Sequence, residues 1–98
     1  MYLIQLLLPV AAAPDADAFA STREELADKF GGVTAYSRAP AEGIWRSPAG
    51  EESRDSVLMV EVLVETFDRP WWRAYRDRLA RRFRQEEIHV RAIPAEFP

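Results

Sequence analysis

From Ser56 to Glu65 the chain reads Val57-Leu58-Met59-Val60-Glu61-Val62-Leu63-Val64, an apolar run interrupted once, by a carboxylate. Its β-branched content and length predict a strand over 56–65. Tyr2 to Leu8 is a second near-continuous apolar run, ended by Pro9, and predicts a central strand covered by neighbours. After it, Asp15 or Asp17 is placed to cap a helix over 16–30. Its ladder is Phe19, Arg23, Leu26 and Phe30, and Gly31-Gly32 supplies the left-handed stop. Val33 to Arg38 alternates and predicts another strand, stopped near Pro40. Gly43 to Arg46, the turn Ser47-Pro48-Ala49-Gly50 and the residues up to 55 read as a hairpin extension leading into the strand from Ser56. Asp68 caps a second helix, with Pro70 in its first turn and an apolar stripe of Trp72, Tyr75, Leu79 and Phe83, running to about Gln85. Ile88 to Ile93 alternates again as a last strand, ended by Pro94.

This order, βαββαβ without linker or repeat, predicts one α+β domain over 1–98. The expected architecture is a ferredoxin-like sandwich: a four-stranded antiparallel sheet, two helices on one face and the hairpin extension at 43–55. Side-chain period two then sorts the strands into faces. Leu58, Val60, Val62, Val64, Ile88, Val90 and Ala92 go to the helices. Leu3, Gln5, Leu7, Val57, Met59, Glu61, Leu63, His89, Arg91 and Ile93 go outward, with Thr34, Tyr36 and Arg38. The outward face mixes exposed leucines with polar groups, and so much uncovered apolar sheet predicts a homodimer contact.

The candidate site residues are therefore Gln5, Tyr36, Arg38, Glu61, His89 and Arg91, with Trp45 as a cover for a pocket edge or a dimer filler. A carboxylate in mid-strand is costly to bury unless paired, so Glu61 with Arg91, Arg38 or His89 is the constellation to find. Glu61 reads either as an ion pair fixing strand or dimer register, which is preferred, or as a general base or substrate-binding carboxylate. His89, the sole histidine, is a candidate acid or base by residue type, but a single histidine on a strand is more often a packed or rim residue.

Charge changes this picture little. The 98 residues carry a net charge of −3, with 48% hydrophobic positions and no cysteine. Thiolate chemistry and disulfides are excluded, a cytoplasmic setting fits, and no cofactor or metal site is expected from one histidine and scattered carboxylates. Seven arginines fall between Arg69 and Arg84 against one acid, Asp77. They are read as a solvated face partly paired with Asp15, Asp17, Glu24, Glu25 and Asp28 rather than as a nucleic-acid surface, since no nucleic-acid motif accompanies them. Leu3 to Ala13 imitates the core of a secretory signal but lacks a basic leader, the first cation being Arg23, and is too short to span a bilayer; it is read as a strand.

Phe30-Gly31-Gly32-Val33-Thr34-Ala35-Tyr36, Gly43-x-Trp45-Arg46 with Arg54, the strand from Ser56, and Phe83-x-Gln85-Glu86-Glu87-Ile88 together resemble a bacterial family of small ferredoxin-like domains of unknown function, over about 30–93. The resemblance implies no activity and no catalytic residues. In outline the chain is also similar to the dimeric α/β-barrel proteins, which include small cofactor-independent monooxygenases and isomerases. The tautomerase hallmark, a proline directly after the initiator methionine, is absent, with Tyr2 in its place. Two functions follow as expectations. One is a homodimeric module using its open sheet face for assembly and partner binding. The other is a small enzyme or binding protein whose Tyr36, Glu61, His89 and Arg91 hold a small anionic or aromatic ligand.

Overall fold

A computed structural model describes residues 1–9, 16–46, 52–96 and 98, and side chains for 1–9, 17–34, 58–96 and 98. The element order is β1 (Tyr2–Pro9), α1 (Ala16–Phe30), β2 (Thr34–Arg46), β3 (Glu52–Val64), α2 (Arg69–Arg82) and β4 (His89–Pro94). All pairings are antiparallel and the strands lie in the order β2-β3-β1-β4. The long apolar runs thus occupy the two central positions, where a strand has neighbours on both sides.

The expected regular four-stranded ferredoxin-like sandwich with a separate hairpin at 43–55 needs correction. Only the rows through Gln5, Leu6 and Leu7 are four strands wide: Thr34–Glu61–Gln5–Arg91, Ala35–Val60–Leu6–Val90 and Tyr36–Met59–Leu7–His89. Through Tyr2, Leu3 and Ile4 the sheet has three strands, β3-β1-β4, because β2 begins at Thr34, opposite Glu61, too late to reach Val62–Val64. Nor is the hairpin an appendage. The strand expected to stop near Pro40 runs on to Arg46, and β3 starts at Glu52 rather than Ser56, so both are 13 residues long. A register shift between Tyr36 and Ala41 accommodates the change, as a bulge allows proline within an edge strand. The turn Ser47 to Gly50 lies outside the described residues, as does Asp15.

Both helices cover one face. Ile4, Leu6 and Leu8 from β1 and Val60, Val62 and Val64 from β3 are buried there with Leu26, Trp72, Tyr75, Leu79, Phe83 and Ile88. Each fully buried leucine contributes roughly 1.5–3 kcal/mol through removal of its surface from water. The stripe of α2 is the one its spacing predicts. That of α1 is displaced by one position: Ala18, Thr22 and Leu26 are buried, while Arg23 is exposed and Phe19 and Phe30 are half-buried. Thr22 tolerates burial because its hydroxyl donates to the Ala18 carbonyl at 2.8 Å.

The helix ends follow local chemistry. The Asp68 carboxylate accepts from the Trp71 amide at 3.2 Å, with Pro70 in the first turn, as the N-cap expectation has it. At the other end α2 stops at Arg82, short of Gln85. The Gln85 amide donates to the Ala80 carbonyl at 2.8 Å and the Arg84 amide to the Arg81 carbonyl at 3.2 Å, with Arg84 at φ 55°. This is a Schellman closure with arginine in the left-handed position that glycine usually fills. Among the described residues no helix is long and apolar enough to cross a membrane.

Candidate functional site on the open sheet face

The face of the sheet away from the helices carries the odd-numbered positions of β1 and β4 and, among the described side chains of β3, Met59, Glu61 and Leu63. Its centre is a hydrogen-bonded row. The Gln5 amide nitrogen donates to Glu61 Oε2 at 2.8 Å, and Arg91 Nε donates to Gln5 Oε1 at 2.8 Å. Gln5 sits on the central strand and bridges a carboxylate on one neighbour and a guanidinium on the other. The cross-strand pairing that produces this order, Glu61 opposite Gln5 and Gln5 opposite Arg91, is fixed by the burial of Leu6 and Val60 and the partial burial of Val90 on the reverse side, since a one-residue slip would turn every side chain over.

Around the row lie half-buried Leu3, Leu7 and Met59 and two exposed apolar side chains, Leu63 at 36% and Ile93 at 40% exposure. His89 is exposed, one step along β4 from Arg91 on the same face, and opposite Leu7. The structure thus brings Gln5 into direct contact with Glu61 on one side and Arg91 on the other, so that the expected Glu61 and Arg91 are joined through Gln5, and places His89 in the adjoining row. By backbone register Tyr36 belongs to the His89 row, through Met59 and Leu7, and Arg38 falls within the register shift. Trp45 is paired with Ser53, eight positions along β3 from Glu61, or about 26 Å at strand spacing, and so stands far from the row. The side chains of Tyr36, Arg38 and Trp45 lie outside the described residues. Among the described residues no group of three or more metal-ligating side chains forms.

A second polar cluster lies between the helices. Glu25 Oε1 accepts from Arg82 Nη1 at 2.5 Å and from the Tyr75 hydroxyl at 3.0 Å; Oε2 accepts from Arg82 Nη2 at 3.0 Å and Arg78 Nη2 at 2.8 Å. Arg82 Nη1 also donates to the Thr22 hydroxyl at 2.9 Å. The Arg82 fork holds the Glu25 carboxyl below its ordinary range against partial burial, with the Tyr75 hydroxyl helping. Burial, and then the negative charge of Glu25, push the Tyr75 phenol up to about 12. The Glu25 hydrogen bond raises Arg82 above its already high value. Sequence reasoning anticipates pairing between these acidic and basic stretches but not which carboxylate gathers three donors. The signal available was the burial pattern of α2, which points Tyr75, Arg78 and Arg82 toward one flank.

Aromatic packing settles the paired tryptophans. Phe30 stacks on Trp72 at 5.3 Å and meets Trp71 edge-on at 5.4 Å, Trp71 stacks on Tyr75 at 4.9 Å, and the Lys29 ammonium lies 4.6 Å from the Trp71 ring. Trp71 is a helix-to-helix packing residue with a cation on its exposed side. No protein-family model, curated protein or solved structure matches the chain.

Proposed function

We propose that the chain works as a homodimer whose open sheet faces are apposed, with the Arg91–Gln5–Glu61 row setting the register between the two copies. The observation that carries this reading is the row's polarity. Its cation and its carboxylate lie on opposite sides of a central glutamine, on strands flanking β1.

Two sheets packed face to face are related by an axis lying in the plane between them. An axis along β1 exchanges the sides of the row, so Arg91 of each copy faces Glu61 of the other. The same operation lays Leu63 against Ile93 and Met59 against His89, because these positions flank β1 at matching levels: Leu3 lies between Leu63 and Ile93, and Leu7 between Met59 and His89. An axis across the strands would instead stack Glu61 on Glu61 and Arg91 on Arg91. Charge and shape therefore favour one of the two arrangements, and the leucine and isoleucine pairs shield the ion pairs from water.

Both ends of the Gln5 amide are engaged within the row, which favours assembly over catalysis as the role of these residues. Sedimentation equilibrium tests the reading: a concentration-dependent dimer is expected for the wild-type chain and a monomer for Leu63→Glu, which leaves the helix side untouched. A wild-type monomer at every concentration, or a Leu63→Glu dimer of unchanged affinity, would sink it.

A further inference from the structure

Five of the six arginines of α2 fall into two sets, with exposed Arg81 outside both. Arg78 and Arg82 share the Glu25 carboxylate on the side toward α1. Arg69, Arg73 and Arg76, spaced four and three residues apart, share another face and open onto a pocket of about 230 Å³ completed by Phe67, Trp72 and Val90. No carboxylate lines that pocket among the described residues. Arg69 lies 5.0 Å over the Phe67 ring. Arg76 reaches Oδ1 of the neighbouring, exposed Asp77 from Nη2 and from Nε, each at 3.5 Å, the long end of hydrogen-bond distance. Arg73 has no acidic partner among the described residues, and the Asp68 carboxylate nearby is turned to the Trp71 amide.

We infer that this pocket binds the phosphate group of a small organic phosphomonoester, the three guanidiniums holding the phosphate and Phe67, Trp72 and Val90 receiving an apolar or aromatic body. Planar guanidiniums suit phosphate oxygens in bidentate pairs, and a monoester brings a charge of about −1.5 to −2 near neutral pH. The volume is several times the roughly 30 Å³ of one water, enough for a phosphate with one ring but not for a duplex groove. The site lies on the helix side, opposite the proposed dimer face, so it stands or falls independently of the assembly.

Nuclear magnetic resonance titration of the full chain with phenyl phosphate tests the inference. Saturable shifts confined to residues 67–76 and Val90 are expected, with inorganic phosphate binding more weakly. Arg69→Gln/Arg73→Gln should weaken phenyl phosphate binding by roughly tenfold or more. Arg81→Gln, on exposed helix surface outside the pocket, should leave it unchanged, and Arg73→Lys should retain part of it. Non-saturating shifts, shifts spread evenly over Arg81 and Arg84, or equal losses in the pocket and Arg81 variants would overturn it. Arg69, Arg73 and Arg81 are all exposed, and the amide spectrum of each variant reports retention of the fold.

Discussion

Glu25 shows how a single residue joins the two helices. Its carboxylate takes hydrogen bonds from Arg78, Arg82 and Tyr75, yet its side chain remains 37% exposed, so water screens much of the attraction. Glu25→Gln should lower the unfolding free energy by about 1 kcal/mol, measured by urea titration at neutral pH. The pH dependence follows from the direction of the shift. A carboxyl held below its ordinary value of 4.5 in the fold stabilises above that value, and the contribution is lost as pH falls through the lower folded pKa. The acid limb of the stability profile should be shallower in Glu25→Gln. Tyr75 acts at the other extreme. With its phenol raised from 10.0 to about 12, its contribution is complete below pH 10 and is lost as pH rises through 12. Tyr75→Phe should remove that part of the alkaline loss; an unaltered alkaline limb would mean that the phenol is not coupled to folding.

The helix ends carry the clearest predictions at the level of elements. Arg84 holds a left-handed backbone that costs an L-residue energy and glycine little, so Arg84→Gly should stabilise by about 0.5–1 kcal/mol in thermal or chemical denaturation. Gly31, at φ 80° and donating to the Ala27 carbonyl, is the converse case: Gly31→Ala should destabilise by about 1 kcal/mol although a methyl group would meet no atom. These two positions also explain what the sequence made legible. Gly31-Gly32 announces the end of α1 at Phe30, whereas Arg84 gives no such signal, and the apolar spacing alone carries the expected end of α2 on to Gln85, past its true end at Arg82. Thr22 conceals the buried stripe of α1, since a threonine satisfied by its own helix looks polar on paper. Pro40 conceals the length of β2, because a bulged edge strand tolerates a proline that a central one would not.

For the whole molecule, the alternation in β3 and β4 was enough to sort the two sheet faces, and with them Gln5, Glu61 and Arg91. Which side chains would touch depended on register, which the hydrophobic pattern fixes only once the strand order is known. The reduced width of the sheet was not legible, because it depends on where β2 starts relative to β3. In the proposed dimer each copy presents a cation and a carboxylate on either side of β1, so the pairing between copies is reciprocal.

That reciprocity makes one measurement decisive. Glu61→Arg and Arg91→Glu are prepared separately, and each is sedimented alone and then mixed in equal amounts. With a two-fold axis along β1, Glu61→Arg alone sets two guanidiniums against each other at both ends of the row, and Arg91→Glu alone does the same with two carboxylates. Both should therefore be monomeric or weakly associated. Mixed, the two variants regain two opposite-charge contacts across the interface and should form a heterodimer, which a merely intramolecular role for the row would not produce. Wild-type-like dimers from either variant alone, or no association on mixing, would contradict the proposed contact.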